Sequence, residues 1–439
     1  MIKPDFKEQI IVFGEASRLG EVSDFLQKNW PKSRVSILEE KRILSNEITS
    51  LKIEKGHCSV IYIEEKCKAN FGIKVNFLNR AIDAKANIFT VTLQENLKND
   101  FNFKQFCLED LYEIERIETS KLPKKNKKLL ITGGAGFIGS ALVKYYSYTF
   151  SEIIIIDQNE SALFYLKEEL RFLYPEAKIQ FILADVTNRQ RMTSIFEEFE
   201  PEIIIHTAAY KHVALLESEL EEVIKNNIAG TYIILYLAET YKVDQCILLS
   251  TDKAVEPKSL MGKSKLWAEK LCFWFSQVGE ETAFKIIRFA NVLGSTGSVL
   301  PLWKKQLAWK NSIIVTNPKA TRFFFTLQEV FSLADAVLES KQFSGIFTLF
   351  NEDELSLETL SNLTFYNRSA DILTTKLKQG EKQQEQLIGV NEKELHKNDK
   401  FLIVEPTSIP DDFMEQLGVL LSDKVPKEEK ENIVRNYKI

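Results

Sequence analysis

The sequence predicts an α/β protein with two doubly wound domains, each with a mainly parallel sheet between layers of helices. Short apolar runs typical of buried parallel strands alternate with helical segments along most of the 439 residues. A glycine-rich turn at 133–139 follows one such run and precedes a helical segment, as in sheets that bind a nucleotide at the carboxyl ends of their strands. A chain of this length is expected to hold more than one domain.

The composition is that of an ordinary globular protein, with 44% hydrophobic and 27% charged residues. The net charge of -5 argues against sequence-blind binding of nucleic acid. The longest apolar runs have only strand length, so no membrane span and a cytoplasmic location are predicted. The five cysteines lack a metal-type spacing and the four histidines are scattered, so no metal site is expected.

Residues 1–125 alternate strand and helix signals. Strands are predicted at 9–13, 59–63 and 86–91, and a turn at 14–20 leads into a helix at 21–29. This turn has glycine only at its two ends, so its backbone could not approach a pyrophosphate closely. We therefore predict a small Rossmann-like domain that binds no dinucleotide and serves assembly or regulation. The Lys- and Pro-rich stretch 120–128 is interpreted as a solvated linker.

Residues 126–439 are predicted to form the second domain, with a dinucleotide-binding core to about residue 290 and a small substrate-binding part mainly in 291–439. The glycine spacing of its first turn provides a tight turn, room for a phosphate, and close packing of helix on strand. Glycine turns also simply connect elements, but the strand before and the helix after favour a nucleotide site. The predicted cofactor contacts of this turn are Gly133, Gly136, Phe137, Ile138 and Gly139.

The next strand ends in Asp157, eighteen residues after Gly139 (157 minus 139). A carboxylate at this place accepts hydrogen bonds from the adenosine ribose and repels a 2′-phosphate, which favours NAD over NADP. NADP stays open, because a nearby arginine can offset this preference. Asp157 or Asn159 could instead cap the following helix. Further predicted cofactor contacts at strand ends are Asp185, Val186 and Ala208, whereas His206 is interpreted as a core histidine.

The stretch 250–257 follows a buried strand at 246–249. Neighbouring strand residues point to opposite faces, so Asp252 and Lys253 can share one site only if the backbone has already left the strand. Thr251 offers a hydroxyl, Asp252 a carboxyl that can give a proton, and Lys253 an amine that can take one. A surface turn with solvated side chains is the alternative interpretation.

A helix is predicted from Met261 to about residue 277. Met261 and Lys265 are four residues apart and therefore share one face of this helix. The spacing is that of the Tyr-x-x-x-Lys pair of short-chain dehydrogenases, with methionine in place of the tyrosine.

Together these motifs resemble the UDP-N-acetylglucosamine 4,6-dehydratases, a polysaccharide-biosynthesis group of extended short-chain dehydrogenases. The resemblance runs from about residue 108 to residue 382, and residues 1–125 resemble the domain that precedes the catalytic domain in larger, membrane-anchored members. It rests on the segments 132–140, 208–213, 250–265, 288–301 and 315–322.

The resemblance implies a lyase that moves a hydride from C4 of the sugar to NAD and on to C6 while water is lost from C5 and C6. It makes Asp252 the acid, Lys253 the base at C5, Thr251 a partner of the C4 oxygen, and Lys265 a ligand of the nicotinamide ribose. Met261 cannot lose a proton, so deprotonation of the C4 hydroxyl is expected to fall to water, Asp252 or a lysine-linked relay. Methionine here also resembles the branch that retains the configuration at C5.

Substrate contacts implied by the resemblance are Lys211, Asn291, Arg322 and, more loosely, Glu381. The chain departs from the family pattern in the form of its glycine turn, at Thr296, where an arginine is usual, and in the stretch 377–387. The expected partners are a UDP-sugar and further copies of the chain in a symmetric homo-oligomer. An epimerase of the same fold and a non-catalytic NAD-binding protein are the alternatives.

Overall fold

The structure is a computed structural model that describes residues 6–7, 9–14, 16–39, 58–64, 71–93, 101–105, 117, 119–342, 344–349, 354–364, 370–397 and 401–437. The chain divides into two compact units. Unit one comprises 1–114, 298–328 and 353–375, and unit two comprises 115–297, 329–352 and 376–439. The predicted domain bounds, 1–125 and 126–439, and the subdivision near residue 290 stay predictions about folding domains. Of the cysteines and histidines that were considered as metal ligands, Cys67, Cys107 and His57 lie outside the described residues.

The strands are labelled in chain order. They are β1 Gln9–Gly14, β2 Arg34–Glu39, β3 Cys58–Glu64, β4 Asn87–Leu93, β5 Phe101–Gln105, β6 Lys125–Thr132, β7 Phe150–Asp157, β8 Ile179–Leu183, β9 Ile203–His206, β10 Gln245–Thr251, β11 Ala283–Phe289, β12 Asn291–Val292, β13 Ser312–Thr316, β14 Thr321–Arg322, β15 Phe324–Phe325, β16 Ser344–Leu349, β17 Leu355–Ser356, β18 Asp371–Thr375, β19 Lys393–Lys397 and β20 Phe401–Glu405.

The α-helices are α1 Ala16–Asn29, α2 Phe71–Asp83, α3 Phe137–Tyr146, α4 Glu160–Leu173, α5 Arg189–Phe199, α6 Val213–Leu216, α7 Leu220–Glu222, α8 Gly230–Thr240, α9 Leu260–Val278, α10 Val299–Lys310, α11 Leu327–Glu339, α12 Leu357–Thr364, α13 Phe413–Leu421 and α14 Lys427–Asn436. A π-helical segment at Val223–Ala229 runs into α8. Over the residues described, no helix is both long enough and apolar enough to cross a membrane.

Unit one contains a sheet with the order β2-β1-β3-β4-β5. Strands β1 to β4 pair in parallel, and β5 pairs antiparallel with β4. The three strands predicted in this region are confirmed, each within two residues of its predicted ends. The predicted turn at 14–20 is wrong, because α1 already begins at Ala16. Gly20 lies inside this helix, where a lone glycine costs only about 1 kcal/mol.

Unit two contains a sheet with the order β19-β20-β16-β11-β10-β9-β6-β7-β8. Its strands from β8 to β16 pair in parallel, and β20 and β19 add antiparallel strands at one edge. The central strands are apolar because both faces are buried; Ile153, Ile154 and Ile155 are at most 1% exposed. The chain leaves β6 towards β7 on one side and returns to β9 on the other. This reversal opens a crevice at the carboxyl ends of the strands. The predicted α/β class and doubly wound sheet are confirmed.

The lysine-rich cluster before Leu129 is part of β6, which corrects its interpretation as a linker. Lys128 pairs with Glu152 of β7, and its ammonium donates to the carbonyl of Phe199 at 2.8 Å. Lys127 forms an ion pair with Asp244. The long alkyl stems of lysine can lie along a sheet while the ammonium groups reach polar partners, so the charge run does not prevent strand formation.

A buried ion network ties the later part of unit two to its sheet. The guanidinium of Arg288 on β11 is fully buried and contacts Glu269 of α9 at 2.6 Å and Glu392 at 2.7 Å. It also donates to the carbonyl of Leu387 at 2.9 Å. The two carboxylates hold the pKa of Arg288 above its ordinary value despite its burial. Complete pairing of this kind offsets the cost of burying the charges.

The indole of Trp267 on α9 is buried against two aromatic rings from the C-terminal part of the chain. Its ring stacks at 4.9 Å on Phe413 and at 5.5 Å on Tyr437, measured between centroids. Apolar residues of α13 and α14 belong to the same buried cluster as Trp267, so the C-terminal helices help to bury α9.

Candidate active site

The glycine turn between β6 and α3 brings the helix N-terminus directly onto the strand end. Gly133 has φ +64°, a conformation that favours glycine. A Cβ at Gly139 would lie 2.3 Å from the carbonyl oxygen of Gly133, so this helix and turn can approach only without a side chain. A Cβ at Gly136, the N-cap of α3, would meet only that same oxygen within 4 Å. The other side of the helix N-terminus is therefore open.

A cleft lies above this turn, at the carboxyl ends of β6, β7, β8 and β9. Its lining residues are Gly133, Gly136, Ile156, Asp157, Gln158, Ala184, Val186, Thr207, Ala208, Ala209, Tyr210 and Asn226. The predicted cofactor contacts Val186 and Ala208 are thus among them. Asp185 follows β8, and its carboxylate accepts a hydrogen bond from the amide of Thr187 at 2.8 Å.

The carboxylate of Asp157 lies at the rim of this cleft. It accepts hydrogen bonds from the amides of Ala135 and Asn159, each at 2.9 Å. The residue that caps α4 is Asn159, whose side chain accepts from the amide of Ala162 at 3.0 Å. Asp157 therefore ties β7 to the glycine turn and keeps further lone pairs for a ribose hydroxyl.

These features fit a dinucleotide. The open N-terminus of α3 can take a pyrophosphate, because free backbone amides and the helix dipole both favour an anion there. Small residues, Ala208 and Ala209, line the same cleft and leave room for a ligand. The carboxylate of Asp157 at its rim could accept hydrogen bonds from a ribose.

The Thr-Asp-Lys stretch turns sharply at the end of β10. The strand ends at Thr251, and Asp252–Ala254 form one turn of 3₁₀-helix. The backbone has thus left the strand before Asp252, as predicted. The hydroxyl of Thr251 donates to Asp252 Oδ1 at 2.8 Å, and the ammonium of Lys253 donates to the same oxygen at 3.0 Å. The acid and the amine therefore lie together.

The second carboxylate oxygen, Asp252 Oδ2, is buried and has no hydrogen-bond partner among the described residues. Asp252 is fully buried, whereas the side chain of Lys253 is 22% exposed. Lys253 also donates to Asn291 Oδ1 at 3.3 Å, so this predicted substrate residue borders the pair. A buried oxygen without a partner is suited to carry a proton or to accept a hydrogen bond from a ligand.

Helix α9 carries Met261 and Lys265 on one face, as predicted. The helix is capped by the hydroxyl of Ser259, which accepts from the amide of Gly262 at 3.0 Å. The ammonium of Lys265 donates to the carbonyl of Leu249 at 2.7 Å, and burial lowers its pKa to about 8. Met261 is buried in an apolar cluster with Leu216 and Val223. It therefore acts in packing and cannot exchange a proton.

His206 is a core histidine, as the sequence indicates. It is 1% exposed, and its two ring nitrogens lie 2.7 Å from the hydroxyl of Thr132 and 3.1 Å from that of Thr231. Burial, and then the charge of Lys265, lower its pKa to about 3. The imidazole is therefore neutral at ordinary pH.

The remaining predicted substrate residues are spread over both units. Lys211 is exposed after β9, and partial desolvation lowers its pKa. Glu381 accepts a hydrogen bond from the backbone amide of Lys378 at 2.9 Å, which closes a local turn. Arg322 belongs to unit one, where it donates to the carbonyl of Thr321 at 2.7 Å. Their roles as substrate ligands stay predictions.

Two charged residues in the same stretch as Glu381 were not predicted as site residues from the sequence. Glu385 is 3% exposed, and its Oε1 lies 4.0 Å from the ammonium of Lys253. Lys382 lies 3.2 Å from Glu385 Oε2 and donates to the carbonyl of Val255 at 2.6 Å. The hydrophobic Leu387, two residues after Glu385, is buried and was a local sign that part of this stretch is buried.

The chain is similar to proteins of a known family. The family described as "Polysaccharide biosynthesis protein" matches residues 129–406. The capsular polysaccharide biosynthesis protein CapD of Staphylococcus aureus is 30% identical over 346 residues, which cover 76% of this chain and 57% of CapD. A UDP-N-acetylglucosamine 4,6-dehydratase (inverting) of Campylobacter jejuni is 33% identical over 46% of this chain and 60% of that protein. A UDP-glucose 4-epimerase of Rickettsia bellii is 32% identical over 61% of this chain and 79% of its own.

The chain thus spans roughly three fifths of the length of the first two relatives. Among solved structures, Pen from Bacillus thuringiensis is 31% identical with a TM-score of 0.58, over 64% of this chain and 90% of that chain. The dTDP-glucose 4,6-dehydratase DesIV from Streptomyces venezuelae has a TM-score of 0.52 at 20% identity, over 60% of this chain and 88% of its own, a likeness of fold alone.

Proposed function

Because this chain belongs to the polysaccharide biosynthesis family, whose relatives include nucleotide-sugar dehydratases and epimerases, we propose that it is a UDP-N-acetylglucosamine 4,6-dehydratase. The observation that carries the proposal is the shared hydrogen-bonded site of Asp252 and Lys253 at the end of β10. Elimination of water needs an acid at one carbon and a base at its neighbour. The 3₁₀ turn supplies both from adjacent residues.

The base in this proposal is Lys253, which removes the proton from C5 of the sugar. The acid is Asp252, which gives a proton to the C6 hydroxyl as it leaves as water. Thr251 holds the C4 oxygen after releasing its hydrogen bond to Asp252. Met261 offers no acidic proton, so the proton of the C4 hydroxyl passes to water, to Asp252 or to a relay through lysine.

The cofactor in this proposal is NAD, which accepts a hydride from C4 and returns it to C6. The glycine turn and Asp157 would hold its adenosine and pyrophosphate parts. The ammonium of Lys265, fixed by the carbonyl of Leu249, has two further protons for hydroxyls of the nicotinamide ribose. The proposal therefore assigns a binding group to each half of the dinucleotide.

The substrate is proposed to be held by Lys211, Asn291, Arg322 and Glu381. The product would be the UDP-4-keto-6-deoxy sugar with its configuration at C5 retained. A cytoplasmic location and a homo-oligomer also stay predictions, as does the role of the sheet in unit one.

An epimerase is the second candidate, favoured by the 32% identity to a UDP-glucose 4-epimerase over 61% of this chain. Reversible oxidation at C4 needs a proton acceptor for the C4 hydroxyl, a role for which Met261 is unsuited. Reversible oxidation at C4 also needs no acid for a leaving hydroxyl, so the buried Asp252 would have no role in an epimerase.

The deciding experiment is mass spectrometry of UDP-N-acetylglucosamine after incubation with the purified protein and NAD in heavy water. Loss of one water together with uptake of deuterium at C5, absent from Lys253→Ala, is the expected result. An epimer without loss of water would favour the second candidate. An unchanged sugar, with UDP-, GDP- and dTDP-linked substrates alike, would refute both enzymatic proposals.

A further inference from the structure

The carboxylate of Glu385 is a buried charge that the reaction above does not use. It is 3% exposed and comes from the segment between β18 and β19. Its Oε1 lies 4.0 Å from the ammonium of Lys253, and its Oε2 lies 3.2 Å from that of Lys382. A carboxylate is rarely buried so deeply unless its charge is paired.

Four charged side chains around Glu385 form a row of successive ion pairs. Asp252 lies 3.0 Å from Lys253, Lys253 lies 4.0 Å from Glu385, and Glu385 lies 3.2 Å from Lys382. Lys382 is anchored at its other end, because it donates to the carbonyl of Val255 at 2.6 Å. The ammonium of Lys253 therefore lies between the carboxylates of Asp252 and Glu385.

The separation of 4.0 Å between Lys253 and Glu385 is longer than a hydrogen bond and lies at the outer limit of an ion pair. Among these four side chains, that of Lys253 is the most exposed, at 22%, whereas the side chain of Glu385 is 4% exposed. A modest rotation of the lysine side chain can thus exchange one carboxylate for the other. Lys382 keeps Glu385 in place during that exchange.

We propose that Glu385 is a positioning residue for Lys253, and that it holds the ammonium formed when Lys253 takes the C5 proton. This inference rests on the proposed function. When Lys253 binds that proton, the C5–H bond breaks and its electron pair stays on the sugar. Asp252 becomes an anion only when it gives its proton to the leaving hydroxyl. Until then Glu385 supplies the negative charge that faces the new ammonium.

The charge of Glu385 should therefore act on the rate of proton transfer and not on binding of the sugar. Its removal takes away the carboxylate that lies 4.0 Å from the ammonium forming on Lys253. The maximal rate should then fall while KM changes little, because positive charge that develops during proton transfer is stabilised less.

The test compares Glu385→Gln with the wild type and with Glu394→Gln, which neutralises an exposed carboxylate on β19. Deuterium uptake at C5 and loss of water are measured at a series of UDP-N-acetylglucosamine concentrations with NAD. For Glu385→Gln we expect kcat to fall about 10- to 100-fold, less than for loss of a group that itself transfers the proton, with KM within about threefold. Glu394→Gln should match the wild type.

A Glu385→Gln variant with a wild-type kcat would overturn the inference while leaving the dehydratase proposal intact. A wild-type protein without dehydratase activity would refute both. If Glu385→Gln fails to fold, Glu385→Asp is used for the same test. Its shorter side chain keeps the negative charge but moves that charge away from Lys253. Full activity in a folded Glu385→Asp would overturn the inference, and a reduced rate of C5 exchange at unchanged KM would support it.

Discussion

Lys253 donates a hydrogen bond to Asp252 Oδ1 at 3.0 Å, although the two residues are neighbours in the sequence. Neighbouring side chains of a strand cannot meet in this way. They meet here because the chain changes from β10 to a 3₁₀ turn at this point. The local backbone therefore places two groups of opposite proton affinity at one end of the sheet.

The first prediction separates the two proton transfers by single substitutions. Asp252→Asn should retain uptake of deuterium at C5 but lose at least about 100-fold in elimination of water, because the amide cannot supply the acid proton. Lys253→Ala should lose both reactions. Mass spectrometry of the sugar in heavy water measures the two events together. Equal loss of exchange in both variants would contradict the division of roles.

The second prediction concerns the choice of cofactor. Asp157→Asn should reduce the preference for NAD over NADP by about tenfold, or about 1.4 kcal/mol, because the negative charge that repels a 2′-phosphate is removed. The amide oxygen can still accept from the amides of Ala135 and Asn159. Titration of each dinucleotide by protein fluorescence gives the two dissociation constants. An unchanged ratio would place the adenosine ribose elsewhere.

The third prediction concerns the glycine turn. Gly139→Ala should destabilise the protein by about 1–3 kcal/mol or more, because the new methyl group overlaps the carbonyl of Gly133. Gly418→Ala is the matched control. It lies in helix α13 with no atom within 4 Å of the new methyl group, and should stabilise by up to about 1 kcal/mol. Urea unfolding measures both, and equal effects would contradict the close packing at Gly139.

The fourth prediction concerns acid stability. The pKa of His206 is lowered from 6.5 to about 3 in the folded protein, so the unfolded chain binds a proton in that window that the folded protein does not. The free energy of unfolding should therefore decrease as the pH falls from 6.5 towards 3. In His206→Gln this decrease should be smaller, by up to about 1.4 kcal/mol per pH unit. Urea unfolding at a series of pH values tests it, and parallel profiles would show that His206 does not titrate as stated.

Local sequence patterns were sufficient for the features set by neighbouring residues. The apolar run before the glycine turn, the glycine spacing itself and the four-residue spacing of Met261 and Lys265 each depend on one short segment. The exit of the backbone before Asp252 followed from the same kind of reasoning. Side-chain alternation forbids a shared site on a regular strand.

Features that join distant segments were not predictable in this way. The pairing of Glu385 with Lys253 and of Arg288 with Glu392 depends on how the chain after β18 returns to the sheet. No local period indicates that return. The lysines of β6 were misjudged for a related reason, since their partners Phe199 and Asp244 belong to other elements. Their strand character comes from tertiary pairing and not from local propensity.

The stacking of Trp267 on Phe413 and Tyr437 has a consequence for the order of events on the ribosome. Helix α9, with Met261 and Lys265, leaves the exit tunnel long before either aromatic partner has been translated. Until then the nascent chain presents a large apolar indole face, the kind of surface that chaperones bind. The helix that carries the proposed cofactor lysine can therefore pack against Phe413 and Tyr437 only when synthesis has passed Tyr437.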